Sequence, residues 1–255
     1  MAPALKLALA MLPALAMAAP AAVPALSGRD GGAGDIVGGT AATSGEFPYI
    51  VSLSQSGSHF CGGVLVNSKT VITAGHCSVD MTASAVKVRA GSLRWASGGT
   101  QVSVSSIILN PDYKVNSDGV PDNDVAVWHL STAIATSSTI GYATLPAQGE
   151  DPATGSTLTV AGWGTTSESA SSLPAALRKV SVPNTAPRTS ANMFCAGLTA
   201  GGKDSCSGDS GGPIVDSSDV LVGLVSWGQG CAEAGFAGVY NRLGNYVDFV
   251  TENLA

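Results

Sequence analysis

From Ile36 onward the chain is a succession of short runs rich in β-branched residues, each closed by Gly, Ser, Asn or Asp. YIVSLS, GGVLVNSKTVITAGHC, AVKVRAGS, VSVSSIIL, DVAVWHL, TLTVAGWG, LRKVSVP and VLVGLVSWG follow in that order. Several alternate apolar and polar residues, the period of a strand with one buried face, and the residues between them favour turns. The pattern specifies an all-β barrel or sandwich. No repeat of fixed period is visible. The last stretch, GNYVDFVTENLA, breaks the pattern. Tyr246, Val247, Val250 and Leu254 recur at helical spacing with Phe249 beside them, and Asn245 is placed to cap with Asp248 three residues on. A C-terminal helix over 245–254, docked on the β domain, is expected.

A chain of 255 residues, 45% hydrophobic and 12% charged, can bury one large β core or two smaller ones. Its net charge is -6 and it has no basic run, which argues against nucleic acid as a partner. Lys6, the apolar stretch from Leu7 to Ala18 and the small-x-small Ala16-Met17-Ala18 read as a signal peptide over 1–18, hence a secreted, extracellular protein. Pro13 and the short length argue against a membrane span. Residues 19–35, rich in Ala, Gly and Pro, read as a pro-segment or linker. Export brings an oxidising compartment, where cysteines pair. There are five, Cys61, Cys77, Cys195, Cys206 and Cys231, so one is left over.

DSCSGDSGGP, from Asp204 to Pro213, holds three serines. A serine is a nucleophile only when a base takes its proton. The histidines are His59 at a strand start, His76 at the end of a β-rich run and His129 inside an alternating strand, and position alone does not choose among them. IVGGT, TAGHC, DNDVAV, DSCSGDSGGP, SWGQGC and GVY occur in this order. Together they resemble the chymotrypsin-type serine proteases, specifically the trypsins, from Ile36 to Ala255. The few cysteines and the stretch AGSLRWASGGTQ resemble the microbial, particularly fungal, members.

The resemblance implies two six-stranded antiparallel β-barrels, at roughly 36–135 and 136–244 within one domain of 36–255, followed by the helix. It makes Ser210 the nucleophile, His76 the base and then acid, and Asp124 the carboxylate that orients the imidazole. Asp122 stands two residues away and spacing does not separate the two; the family pattern Asp-x-Ala assigns Asp124. Gly208 and Ser210 would supply the N–H groups of an oxyanion hole. Asp204 would lie at the floor of a pocket for Lys or Arg, with Ser205 at its base and Gly228 and Gly238 in its walls. Ser226 would support Asp124, and the backbone around Trp227 would pair with the substrate as an added strand. Asp209 would bind the ammonium freed at Ile36 by activation, which raises that amine's pKa and gives activity an alkaline limit. Between the signal peptide and Ile36 only Arg29 is basic, so a different protease is expected to complete activation. Cys61–Cys77 and Cys206–Cys231 would be disulfides, and no metal or cofactor is expected. Partners would be protein and peptide substrates and protein inhibitors of proteases, acting on a monomer, with no nucleic acid and no membrane.

Three departures stand out. Gly75 replaces the family's usual Ala, at about 0.5–1 kcal/mol. Ser207 replaces a common Gln at the pocket lip. The segment from Val182 to Cys195 is shorter than in the family and lacks the cysteine that normally pairs with Cys195. Either the loop is short or the chain as written lacks a stretch. These departures leave two rivals to a Lys/Arg-specific endopeptidase: a protease of broad specificity, and a non-catalytic homologue that binds proteins.

Overall fold

The computed structural model describes residue 1 and residues 36–185 and 190–255. Apart from Met1, the expected signal peptide and pro-segment lie outside the described residues, as does part of the short segment before Cys195. A two-residue strand, β1 (Thr40–Ala41), opens the described domain. There follow β2 (Ile50–Gln55), β3 (Ser58–Leu65), β4 (Thr70–Thr73), β5 (Val86–Ala90) and β6 (Thr100–Leu109). A small hairpin, β7 (Lys114–Val115) with β8 (Pro121–Asp122), then precedes β9 (Ala126–Leu130). These form a closed barrel in the order β2-β3-β4-β9-β6-β5. The second half holds β10 (Thr157–Gly162), β11 (Arg178–Thr185), β12 (Met193–Ala196), β13 (Pro213–Val215), β14 (Leu221–Trp227) and β15 (Gly238–Arg242). They close in the order β10-β11-β12-β15-β14-β13, with β1 outside against β11. All ladder pairings are antiparallel, so the fold is two six-stranded antiparallel barrels, as the resemblance implied.

Alternation explains how each barrel fills. In β5, Val86, Val88 and Ala90 are buried while Lys87 is exposed and Arg89 half-buried. Leu53, Val71 and Trp128 belong to the core of the first barrel; Leu158, Val160, Val180, Ile214 and Tyr240 belong to that of the second. A third cluster, with Tyr49, Ile72, Trp163, Leu224 and Leu243, draws from both and holds them together. Each such aliphatic side chain contributes about 1.5–3 kcal/mol on burial. Cys61–Cys77 and Cys206–Cys231 are disulfides.

The C-terminal helix is shorter than the apolar spacing suggested. A 3₁₀ turn over Leu243–Asn245 leads into α1 (Val247–Glu252). Asn245 does not cap it: its Nδ2 donates to Ala191 O and Asn192 Oδ1, and Tyr246 occupies the N-cap without a side-chain bond. Tyr246 and Val250 are buried, whereas Leu254 is exposed. The end is fixed instead by the backbone, where the Asn253 carbonyl is 2.7 Å from His129 Nε2 and the Ala255 N–H donates to Thr70 Oγ1. Despite the short segment before Cys195, β11 and β12 pair directly, with Asn184 opposite Ala196 and Thr185 opposite Cys195. The Cys195 thiol is buried in β12. Among the described residues no helix is long and apolar enough to cross a membrane.

Candidate active site

The cleft is built where strand ends of one barrel meet those of the other. β4 ends at Thr73, and the next turn, Gly75–Cys77, carries His76. Asp124 stands two residues before β9, the strand that pairs with β4, so the two side chains arrive at the same edge. His76 Nδ1 lies 2.8 Å from Asp124 Oδ2, and the His76 backbone N–H donates to Asp124 Oδ1 at 2.7 Å. Ser226 Oγ donates to Asp124 Oδ2 at 2.6 Å, and Asn241 Nδ2 donates to the Asp124 carbonyl. The carboxylate is fully buried yet fully engaged, which fixes the proton of the neutral ring on Nδ1 and leaves Nε2 as an acceptor.

Asp122, which spacing left as a competitor, turns elsewhere. It sits in β8, 3.8 Å from Lys114 Nζ, and accepts from Asn192 Nδ2. The other histidines are also occupied. His129 meets Ser106 Oγ and the Asn253 carbonyl, and His59 meets Ser52 Oγ and the Gly208 carbonyl. At Gly75 a Cβ would stand 2.8 Å from the Tyr113 ring, so the glycine answers to a filled space rather than being a simple loss of helix-like stiffness.

Ser210 lies just before β13, and its carbonyl accepts from Gly62 N–H of β3 at 2.8 Å. That bond joins the Ser210 backbone to the first barrel, which carries His76. No hydrogen bond joins the Ser210 hydroxyl to His76 among the described residues; such contacts tighten when substrate fills the site. Gly208 has φ +101°, a conformation closed to most side chains. Neither its N–H nor that of Ser210 donates to another protein group among the described residues, so both remain available as donors.

From Ser210 a cavity of about 230 Å³ runs inward between Ser205–Ser207 and the wall from Val225 to Gly230. Asp204 lines it and is 3% exposed. Burial pushes its pKa up to about 6, against the pull of the Ala232 N–H at 3.1 Å and of Ser205. Gly228 and Gly238 line the same cavity. A Cβ at Gly238 would stand 2.4 Å from Asp204 Oδ1, so this wall must be glycine if the carboxylate is to keep its place. Trp227 ends β14 at the cavity mouth, and Ser207 is exposed at the lip.

Asp209 points the opposite way and is wholly buried. Its Oδ1 accepts from Gly164 N–H at 2.7 Å and its Oδ2 from Cys206 N–H at 2.9 Å. Burial pushes its pKa up to about 7. Ile36 is buried in the second core, and in the intact chain its nitrogen is an amide, not an ammonium; no bond joins it to Asp209. Gly164 and Thr165 escaped the sequence reading. They lie in the unremarkable turn after β10, and only the fold brings the Thr165 N–H to the Ser207 carbonyl at 2.8 Å. Cys61, His76 and Cys77 place three metal-capable atoms within 4.8 Å of one another, but both sulfurs are spent in the disulfide and offer no thiolate.

The first barrel thus carries a histidine backed by a buried carboxylate, and the loop it grips carries a serine and two N–H groups without protein acceptors among the described residues, beside a cavity that the buried Asp204 lines. Comparison with known proteins agrees with that chemistry. The family profile described as Trypsin matches residues 36–250. The chain is 44% identical to Trypsin Blo t 3 of Blomia tropicalis over 231 residues, 85% of each chain. It is 42% identical to Trypsin beta of Drosophila erecta over 91% of this chain and 90% of that one. Trypsin alpha of Drosophila melanogaster is likewise 42% identical, over 86% and 84%. These relatives are mite and insect proteins rather than fungal ones. Fold, cleft and relatives together place the chain in the trypsin family of serine endopeptidases.

Proposed function

We propose that the chain is a secreted zymogen whose active form, beginning at Ile36, cleaves proteins after Lys and Arg through an acyl-enzyme on Ser210. The observation that carries this reading is that Ser210 and the buried Asp204 line one and the same cavity. A cationic stem entering the cavity would reach Asp204 and set its carbonyl carbon beside Ser210. Ser210 Oγ attacks that carbon while His76 Nε2 takes the hydroxyl proton. Asp124 holds the other ring N–H and stabilises the imidazolium that forms. The carbonyl oxygen becomes an oxyanion facing the Gly208 and Ser210 N–H groups, each worth about 3–4 kcal/mol in the transition state. Collapse breaks the C–N bond, with His76 returning its proton to the leaving amine. Water then takes the place of Ser210 by the same steps in reverse.

Trp227 and its neighbours bind the substrate backbone as an added strand. On activation the Ile36 ammonium pairs with Asp209, and the neighbouring N–H donors take their working places. The few cysteines and the stretch AGSLRWASGGTQ support a microbial, particularly fungal, kind of trypsin. In this reading it acts as a monomer and is open to protein inhibitors.

The test compares amide substrates carrying arginine and phenylalanine on the Ile36-started protein, with Ser210→Ala as control. Arginine-selective turnover that Ser210→Ala abolishes supports the reading. Equal turnover of both substrates would indicate a broad protease, and none would indicate a binding homologue.

A further inference from the structure

Asn241 is a wholly buried polar side chain to which the proposed mechanism gives no part. It lies in β15, opposite Met193 of β12 on one side and Leu224 of β14 on the other. Its Nδ2 donates to the Asp124 carbonyl of the first barrel, while its Oδ1 meets no donor among the described residues. A carbonyl only accepts, so turning the amide round would set oxygen against oxygen. A buried acceptor without a donor destabilises a fold, and leucine, of similar shape, carries no such group. Asparagine here breaks a packing rule, and such breaks concentrate at working sites.

We infer that Asn241 is a positioning residue for the Asp124 carboxylate, holding the Asp124 peptide so that both carboxylate oxygens meet His76. The inference rests on the reading of Ser210 as nucleophile and His76 as its base. No strand holds Asp124. It stands at the centre of a γ-turn, closed by Val125 N–H on Asn123 O at 2.9 Å, and β9 begins only at Ala126. Asn123 has φ +52°, a left-handed conformation that costs energy in a residue with a Cβ. The turn takes the Asp124 carbonyl out of the barrel ladder. Among the described residues no backbone N–H donates to it, and Asn241 Nδ2 does so instead. Rotation of this peptide would swing the carboxylate, whose Oδ1 accepts from the His76 N–H at 2.7 Å and whose Oδ2 faces His76 Nδ1 at 2.8 Å. The second grip is Ser226 of β14, where a register shift between Val225 and Trp227 leaves it opposite no residue of β15. Ser226 fixes the tip of the Asp124 side chain and Asn241 its root. Both belong to the second barrel, whose β13 follows Ser210, so together they tie the acid of one barrel to the frame that carries the nucleophile.

The full chain, processed to begin at Ile36, is compared with Asn241→Leu and with the pair Asn241→Thr and Asn241→Val, which share a shape but not a donor. Each is assayed for kcat and KM on an arginine amide, for binding of benzamidinium, which needs only the pocket, and by proton NMR for the Nδ1–H that His76 donates to Asp124. Urea unfolding is measured on the same variants in a Ser210→Ala background. Asn241→Leu and Asn241→Val lower kcat about tenfold and move the Nδ1–H resonance upfield, with KM and benzamidinium affinity unchanged. Asn241→Leu keeps the urea midpoint of its parent, because it removes one acceptor without a donor, Asn241 Oδ1, and leaves another, the Asp124 carbonyl. Asn241→Thr recovers most of kcat and of the resonance position. Unchanged kcat in Asn241→Leu and Asn241→Val, benzamidinium weakened as much as kcat, or no difference between Asn241→Thr and Asn241→Val would each overturn the inference. A lowered urea midpoint with kcat and the resonance unmoved would make Asn241 purely structural and overturn it too. Absence of turnover in the unsubstituted protein would instead overturn the Ser210 reading, and this one with it.

Discussion

Asp209 makes the stability of the intact chain depend on pH in a way that cleavage should reverse. The folded chain holds the Asp209 proton up to about pH 7, whereas an unburied aspartate releases it near 3.8. Folding therefore takes up a proton between those values. The group's contribution is intact below pH 3.8 and is lost as pH rises through about 7. About three pKa units at about 1.4 kcal/mol each gives a loss on the order of 4 kcal/mol by pH 8. After cleavage the Ile36 ammonium supplies the missing countercharge, the carboxylate stays ionised, and this loss disappears. The measurement is urea unfolding from pH 4 to 8 in a Ser210→Ala background, on intact and Ile36-started chains, each with and without Asp209→Asn. In either chain the asparagine NH₂ faces the N–H of Gly164 or Cys206, a constant penalty of about 1–3 kcal/mol. The informative quantity is thus the change with pH. In the intact chain Asp209→Asn gains about 4 kcal/mol on its parent between pH 4 and 8. In the cleaved chain it gains nothing over that range. Equal pH slopes in the two chains would refute the reasoning.

Three shorter predictions follow from the same site. Benzamidinium affinity of the Ile36-started chain is constant from pH 7 to 8 and falls as Asp204 takes up its proton near pH 6; a flat profile down to pH 5 in isothermal titration would contradict the pKa and the pocket together. Gly238→Ala sets a methyl against Asp204 Oδ1 and raises KM for arginine amides at least tenfold, about 1.4 kcal/mol, while Gly228→Ala, whose Cβ would meet only Gly230 O at 3.5 Å, costs less; the reverse ranking would refute the geometry. Purified precursor incubated alone does not acquire Ile36 as its N-terminus, because Asp35 is a poor residue for a Lys/Arg-specific protease; N-terminal sequencing decides.

Much of this architecture could be read from the chain because the relevant signals are local. Alternation in AVKVRAGS marks the inward face of β5, and glycines and asparagines mark the turns that make barrels rather than helices. The two disulfides also agree with the pairing that the family resemblance implied. Choices between neighbours were not legible. Asp122 and Asp124 differ only in which long-range partners the fold supplies: Lys114 and Asn192 for one, His76, Ser226 and Asn241 for the other. Gly164 and Thr165 carry no chemistry of their own and matter through backbone N–H groups, which every residue but proline possesses. The helix end misled for the opposite reason. Leu254 continues the apolar spacing, yet the chain leaves the helix after Glu252, where tertiary hydrogen bonds outweigh one more turn.

Both barrels have the same wiring: three strands in sequence, three more in sequence, and two seams that join the triplets. In the second barrel β10, β11 and β12 form a continuous meander, with Thr185 opposite Cys195. The seams instead join distant residues, such as Val51 with Ala90 and Thr159 with Val215. Loop-closure entropy favours the local pairings first. Folding of this chain should then proceed by docking of preformed three-stranded sheets. The loop that carries Ser210, which lies between the triplets of the second barrel, would be assembled last.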